Sequence, residues 1–190
     1  TTVLAKNRKG LKALYKLISL SHIQYLGRYP CVPKNILNEL REDLIIGSAC
    51  FNGEVFDTAS RLSEKELDEV VKFYDFIEIQ PYSNYSLFIE LGSRVVDGKE
   101  KLDRTLNDII KSATKLNKII CATGDVHYRD PEDHKFRDIY VYSAGVGKTS
   151  HPLYLFGARK DYAEKKQVYF ENPKQHYRST EEMLEEFKMY

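Results

Sequence analysis

The stretch Lys118-Ile-Ile-Cys-Ala-Thr-Gly-Asp-Val-His-Tyr128 decides how this sequence is interpreted. Its continuous apolar run predicts a strand over residues 118–123 that is buried on both faces, and the glycine that follows predicts a polar turn. Asp125 and His127 then lie just past the carboxyl end of the strand. Because they are two residues apart on an extended backbone, their side chains are expected to project from the same side.

The pair Asp125 and His127 allows two interpretations. A carboxylate oxygen and an imidazole nitrogen that converge on one point suit a divalent transition metal. In the other interpretation, Asp125 caps the following turn and His127 is an ordinary surface residue. The tripeptide D-x-H is common, so taken alone it favours the second interpretation, and the case for a site depends on the rest of the chain.

The composition indicates one domain with a balanced charge. The chain has 190 residues, with 29 Lys and Arg against 28 Asp and Glu, so no overall basic field points to nucleic acid. Its three cysteines are far apart and form no C-x-x-C pair, which favours a reduced cytoplasmic setting over a disulfide scaffold. No apolar run reaches membrane length, and no signal peptide opens the chain. The missing initiator methionine and a strand-like opening lead us to expect a piece of a longer polypeptide.

Apolar periodicity predicts strands that alternate with helices. The predicted strands cover residues 2–6, 44–49, 76–80 and 118–123. The predicted helices cover residues 11–22, 33–41, 54–62, a segment capped by Ser63, 99–116, 130–142 and a final segment capped by Ser179, with a short helix near Leu87–Leu91. Residues 145–169 show no clear period and are expected to be mostly loop.

This alternation predicts an α/β fold with parallel strands. Parallel strands are joined by right-handed crossovers, so their carboxyl ends gather on one face of the sheet or barrel. Cys50, the turn at Gln80-Pro81 and the pair Asp125 and His127 all follow strands, and we expect them to share one mouth. There the thiol of Cys50 is either a metal ligand or a small buried hydrophobe.

Five blocks of the sequence resemble the PHP (polymerase and histidinol phosphatase) domain of PolC-type bacterial replicative polymerases. They are Thr2-Val-Leu-Ala-Lys-Asn7, Gly10-Leu-Lys-Ala-Leu-Tyr-Lys-Leu-Ile-Ser-Leu-Ser-His22, Ile46-Gly-Ser-Ala-Cys-Phe-Asn-Gly-Glu-Val-Phe56, Ala122-Thr-Gly-Asp-Val-His-Tyr128 and Tyr177-Arg-Ser-Thr-Glu-Glu-Met-Leu184. They occur in order over nearly the whole chain. The resemblance implies a parallel-strand, distorted (β/α)7 barrel that is present only in part, with residues 1–190 forming a single-domain fragment after an exonuclease insertion.

The resemblance also implies a metal centre. Family members hold up to three metal ions, Zn or Mn, through His, Asp, Glu and Cys at the carboxyl ends of the strands. The matching positions here are Cys50, Asp125 and His127. The other ligands belong to earlier motifs that these 190 residues lack, so this portion is expected to hold metal weakly or not at all. The resemblance assigns no catalytic residue and no cofactor-binding residue to the chain.

The implied function is that of a larger enzyme. The parent would be a replicative, DNA-directed DNA polymerase of DNA polymerase III type with an associated 3′–5′ exonuclease, located in the cytoplasm. The expected partners are the N-terminal half of the PHP domain, the exonuclease and polymerase domains, and DNA through the parent. This segment would be either structural support or a metal-dependent phosphoesterase. The alternative is a free-standing PHP-type metal-dependent phosphatase or phosphoesterase.

Overall fold

The computed structural model describes residues 1–85, 98–142, 158–161, 166–169 and 172–188. The strands in these ranges are β1 (Thr2–Ala5), β2 (Leu44–Gly47), β3 (Phe76–Ile79), β4 (Ile119–Ala122), β5 (Ala158–Asp161) and β6 (Lys166–Tyr169). The helices are α1 (Arg8–Ile23), α2 (Lys34–Glu39), α3 (Glu54–Arg61), α4 (Glu64–Phe73), α5 (Lys99–Lys115), α6 (His134–Tyr142) and α7 (Thr180–Glu186). The α/β class is therefore confirmed. The short helix expected near residues 87–91 lies outside the described residues.

The first four strands form one mixed sheet in the order β1-β2-β3-β4. Strand β2 runs parallel to β3, as expected, but β1 runs antiparallel to β2, so the expectation of parallel strands throughout was wrong. The reason is the path of residues 24–43. The backbone N–H of Lys6 donates to the carbonyl of Asp43 over 2.9 Å, so this segment returns the chain to the end of β1 that it had left. The barrel itself stays a prediction.

The chain divides into two compact units. The first contains Thr1–Glu78 and Ile109–Cys121, and the second contains Ile79–Asp108 and Ala122–Tyr190. Each unit has its own buried apolar residues. In the first unit they include Leu17, Leu44, Ile46, Val55, Phe56, Leu67, Val71, Tyr74, Ile77, Ile109 and Ala113; in the second, Ile79, Tyr85, Leu102, Leu106 and Val141.

A buried carboxylate in the first unit fixes the end of the helix that leads into β4. Asp68 on α4 is 8% exposed. It accepts hydrogen bonds from the ammonium of Lys115 over 2.7 Å and from the hydroxyl of Ser112 over 2.6 Å. These two bonds hold the pKa of the Asp68 carboxyl below its usual value. Lys118 then donates to the carbonyl of Tyr74 over 2.6 Å, so the chain enters β4 from a fixed point.

Strand β4 is present, but it is not buried on both faces as the sequence predicted. Ile119 is 67% exposed and Ile120 is 38% exposed. Cys121, which lies in the same apolar run, is only partly buried. An apolar run indicates burial only where a second layer covers it. The strand order places β4 at the edge of the sheet, and the residues that the structure describes leave its side chains open.

The region expected to be mostly loop contains a second, two-stranded sheet. Strands β5 and β6 pair antiparallel, with Ala158 opposite Tyr169 and Asp161 opposite Lys166. The segment was missed because its sequence alternates no apolar side chains with polar ones and so lacks the period of two that marks a half-buried strand. Its backbone pairing, rather than a sequence pattern, defines it.

Candidate metal site

The turn after β4 carries Asp125 in a left-handed backbone conformation. The backbone N–H of Thr123 still donates to the carbonyl of Ile79 over 3.0 Å, which continues the pairing with β3. Two residues later, Asp125 has a φ of 51°, a region that non-glycine residues rarely occupy. The extended backbone expected here was therefore wrong. Even so, the two side chains approach one another, with 3.9 Å between Asp125 Oδ1 and His127 Nδ1.

A backbone hydrogen bond fixes which nitrogen of His127 is free. Its Nδ1 lies 2.8 Å from the carbonyl oxygen of Asp125. Because a carbonyl only accepts, Nδ1 carries the proton and, in the neutral ring, Nε2 keeps its lone pair. The side chain is 35% exposed and the Asp125 side chain 29% exposed. The pair thus presents one imidazole nitrogen and one carboxylate that a metal can reach.

A segment fifty residues later in the sequence holds this turn. The backbone N–H of His127 donates to the carbonyl of Gln175 over 2.8 Å. The side-chain amide of Gln175 donates to Asp125 Oδ2 over 2.5 Å. The backbone N–H of Gln175 in turn donates to the hydroxyl of Tyr128 over 2.9 Å. The sequence assigned no role to Gln175, and no local pattern marks it.

Arg178 anchors the same segment in the second unit. Its side chain is 2% exposed. Its Nη2 donates to the carbonyl of Lys174 over 2.6 Å and to the hydroxyl of Ser83 over 3.3 Å, and it lies 3.4 Å from the carboxylate of Glu186. A buried arginine bonded at three points restricts the segment on both sides of Gln175.

A cavity of about 510 Å³ opens beside His127 in the second unit. Arg137 lines it, and burial lowers the pKa of that guanidinium while the charge of Asp125 opposes the change. The Nε of Arg137 is buried and has no hydrogen-bond partner within the described ranges. The cavity is therefore lined by a cationic side chain next to the D-x-H turn.

Cys50 lies in the first unit, in the loop after β2. The loop turns at Ala49, which has a φ of 62°, and closes where the backbone N–H of Gly53 donates to the carbonyl of Cys50 over 2.7 Å. The hydroxyl of Ser48 accepts a hydrogen bond from the backbone N–H of Glu78 over 2.9 Å, which ties the start of the loop to β3. Cys50 is free and partly buried.

The structure thus brings Asp125 and His127 together in the second unit and places Cys50 in the first. Considering only the residues that the structure describes, there is no cluster of three or more His, Cys, Asp or Glu side chains that could hold a metal ion. The three-residue site therefore stays a prediction. The clearest addition to it is Gln175, which contacts both halves of the D-x-H turn.

The first half of the chain resembles a known protein family. Residues 1–94 match the PHP domain family. The matched range includes Cys50, whereas Asp125 and His127 lie beyond it. The first 94 residues are thus similar to PHP domains, the family that the sequence blocks resemble.

The chain is similar to curated proteins of one kind, the DNA polymerase III PolC-type. The chain is 41% identical over 186 residues to the DNA polymerase III PolC-type of Bacillus subtilis (strain 168), a match that covers 98% of this chain and 12% of the relative. It is 38% identical over 187 residues to that of Streptococcus mutans and 39% identical over 186 residues to that of Lactococcus lactis, covering 12% and 11% of those proteins. The chain therefore spans about an eighth of the relatives that it matches, and the resemblance to PolC-type polymerases is confirmed.

The described helices can be compared with the expectation that no apolar run reaches membrane length. None of them has both the length and the apolar character that a bilayer crossing requires.

Proposed function

We propose that this chain is the PHP portion of a PolC-type bacterial replicative DNA polymerase, positioned after the exonuclease insertion and acting in the cytoplasm. The similarity over 98% of the chain to polymerases of that name supports this proposal. The parent would extend DNA from deoxynucleotides, and its remaining PHP half, exonuclease domain and polymerase domain would be the partners of this segment. A free-standing PHP-type phosphatase is the alternative. It is less favoured, because the relatives named above are all polymerases of which the chain spans about 12%.

Within that parent, Asp125, His127 and Cys50 would hold Zn or Mn. The donor chemistry fits: a carboxylate, an imidazole and a thiolate are the ligand types of Zn sites in proteins, and a carboxylate also suits Mn. The single observation that carries this proposal is the hydrogen bond that Nδ1 of His127 donates to the carbonyl of Asp125. A ligating histidine usually donates its other ring N–H to a fixed acceptor in this way. When bound, such an ion supplies water of lowered pKa and offsets the charge of a scissile phosphate.

Arg137 supports a phosphoester as the substrate class. Its partly buried side chain lines the cavity beside His127. A guanidinium is a planar donor that matches phosphate oxygens and keeps its charge at every physiological pH. In this role Arg137 would orient the phosphate, and His127 and Asp125 would hold the metal beside it.

A structural role is the second candidate, favoured by exposed apolar surface on α1. Leu11, Tyr15 and Ile18 form a stripe at helical spacing and are 42%, 61% and 56% exposed. Side chains of this kind usually become buried against another polypeptide. In this role the segment would support the polymerase by packing, with or without hydrolysis.

The test is Asp125→Ala in the full polypeptide that contains this sequence. With Mn present, the unsubstituted protein, carrying an inactivated proofreading exonuclease, is expected to release nucleotides from a DNA 3′ end. The variant should lose this release by about 100-fold or more, since removing a ligand costs at least what removing its supporting residue does. Release is followed on a 5′-labelled oligonucleotide. The matched control is Asp57→Ala, an exposed carboxylate paired with Arg61, which should release nucleotides at the original rate.

The outcomes separate the two roles. Release that survives Asp125→Ala shows the hydrolytic role to be wrong. Release that is absent from both proteins, together with a lower thermal midpoint for the Asp125 variant, supports the structural role instead.

A further inference from the structure

Gln175 is buried and makes a directed contact with Asp125. It is 4% exposed, and 2.5 Å separates its side-chain nitrogen from Asp125 Oδ2. An ionised carboxylate only accepts hydrogen bonds, so the amide must present its NH₂ group to Asp125. The orientation of the amide is therefore determined by its partner.

The same residue holds the other half of the pair. The carbonyl of Gln175 accepts the backbone N–H of His127 over 2.8 Å. One residue thus fixes the carboxylate of Asp125 through its side chain and the position of His127 through its backbone. Asp125 itself occupies the left-handed region of backbone conformation. This conformation costs about 1 kcal/mol and persists only where neighbouring contacts fix it.

The amide orientation leaves the second polar atom of Gln175 without a partner. Its Oε1 is buried and accepts no hydrogen bond from any described residue. Buried acceptors in folded proteins almost always have a donor, and an exception calls for an explanation such as a bound group. Here the unpaired acceptor belongs to the side chain that contacts a proposed metal ligand.

We propose that Gln175 is a positioning residue that orients the Asp125 carboxylate toward a divalent cation. The inference rests on the proposed metal site. Residues that support a metal ligand in this way typically change metal affinity 10- to 100-fold when they are removed. Removal of the Gln175 amide is expected to weaken metal binding at Asp125 by a factor in the same range.

The test replaces Gln175 with methionine, which has a similar length and shape but no N–H donor. In the full polypeptide, freed of metal and titrated with Mn²⁺ by calorimetry, Gln175→Met should bind about 10- to 100-fold more weakly than the unsubstituted protein. The EPR spectrum of the bound Mn²⁺ should also change, which a loss of stability alone would not cause. The matched control is Asn172→Leu, since Asn172 donates an amide hydrogen bond of 2.7 Å to Asp138 in the same unit. That variant should bind Mn²⁺ as the unsubstituted protein does.

Asp125→Ala in the same titration distinguishes the two proposals. Loss of Mn²⁺ binding in Asp125→Ala but not in Gln175→Met overturns the positioning role alone. Unchanged binding in both variants overturns the proposed metal site. Should Gln175→Met fail to fold, Gln175→Glu keeps the size and polarity of the side chain and lacks the donor at neutral pH. A changed Mn²⁺ EPR spectrum in that variant supports the proposal, and an unchanged spectrum overturns it.

Discussion

The loops after β2 and β4 carry the two halves of the predicted site, and they are stabilised in different ways. Each contains a non-glycine residue in the left-handed region, Ala49 with a φ of 62° and Asp125 with a φ of 51°. The loop after β2 closes on itself, through the hydrogen bond from Gly53 to the Cys50 carbonyl. The turn after β4 is held by Gln175, fifty residues away in the sequence.

This difference shows how each ligand position is specified. The turn that carries Cys50 closes between residues a few positions apart, while Ser48 at its start is tied to Glu78 in β3. The carboxylate of Asp125 depends on a segment that must first be brought to it by folding. A change near Cys50 should therefore act through backbone clashes, and a change near Asp125 through lost long-range hydrogen bonds.

The largest expected effect tests the local character of the β2 loop. A Cβ added at Gly53 would lie 2.3 Å from the carbonyl oxygen of Ser48 and 2.9 Å from that of Cys50. Both are backbone atoms, so the loop must shift, and Gly53→Ala should lower the free energy of unfolding by about 3 kcal/mol. Urea denaturation measures this loss.

Gly124→Ala is the matched control in the β4 turn. Its added Cβ would lie 3.3 Å from Cγ2 of Val126 and 3.8 Å from the sulfur of Met183, which are side-chain rather than backbone atoms. We expect Gly124→Ala to lower the free energy of unfolding by less than about 1 kcal/mol. Equal losses for Gly53→Ala and Gly124→Ala would contradict the distinction between the two loops.

The next effect tests the long-range support of the β4 turn. Arg178→Leu removes a buried guanidinium with bonds to Lys174 and Ser83, and should cost about 2 kcal/mol in the free energy of unfolding. The amide hydrogen of His127 should also exchange faster, because its acceptor is the carbonyl of Gln175. Hydrogen exchange measures this directly, and the amide of Gly53 should keep its original rate.

Arg129→Leu serves as the control for Arg178→Leu. The side chain of Arg129 is 85% exposed and forms an ion pair with Asp130 over 3.0 Å. Exposed ion pairs of this kind contribute little to stability, so Arg129→Leu should change the free energy of unfolding by less than about 0.5 kcal/mol. An unchanged exchange rate at His127 in Arg178→Leu would show that the turn does not depend on this anchor.

The smallest effect concerns the cap of the helix that follows the supporting segment. The hydroxyl of Ser179 accepts the backbone N–H of Glu182 over 3.2 Å, and the Glu182 carboxylate accepts the backbone N–H of Ser179 over 2.7 Å. Ser179→Ala should lower the free energy of unfolding by about 1 kcal/mol, as the loss of an N-cap residue does. Ser63→Ala, in the capping box of α4, should cost a similar amount while leaving exchange at His127 unchanged.

The same capping box gives a pH dependence with a definite sign. The hydrogen bond from the Ser179 backbone lowers the pKa of Glu182 in the folded protein. A lowered folded pKa means that the stabilisation is present above the unfolded pKa, about 4.3, and is lost as the pH falls through the folded value. The stability difference between the unsubstituted protein and Glu182→Gln should therefore vanish on acidification. A difference that grows at low pH would reverse this assignment.

Much of the secondary structure was predictable because its signals are local. Apolar spacing located α1 and α5 to within three residues of their observed ends. The capping boxes at Ser63 and Ser179 marked the starts of α4 and α7, since a cap is formed by side chains three residues apart. The D-x-H pair was also found from the sequence, and its two side chains do lie close to each other.

Other features were missed because they depend on contacts that leave no local pattern. The apolar run of β4 predicted burial, but Ile119 stays 67% exposed because the described residues supply no covering layer. Gln175 looks like any polar residue in an irregular segment, and only the fold places it against Asp125. The same holds for the antiparallel pairing of β1, which follows from the path of residues 24–43 rather than from the strand itself.

The sequence by itself determined most of the helices, the first four strands, the helix caps and the resemblance to the PHP domain of PolC-type polymerases, because each of these is encoded in short blocks and short-range spacing. Only the tertiary structure decided the direction of β1, the exposure of β4 and the support that Gln175 and Arg178 give to the D-x-H turn. The physical reason is that burial and long-range hydrogen bonds depend on which distant segments meet. That outcome is set by the packing of the whole unit rather than by the residues on either side.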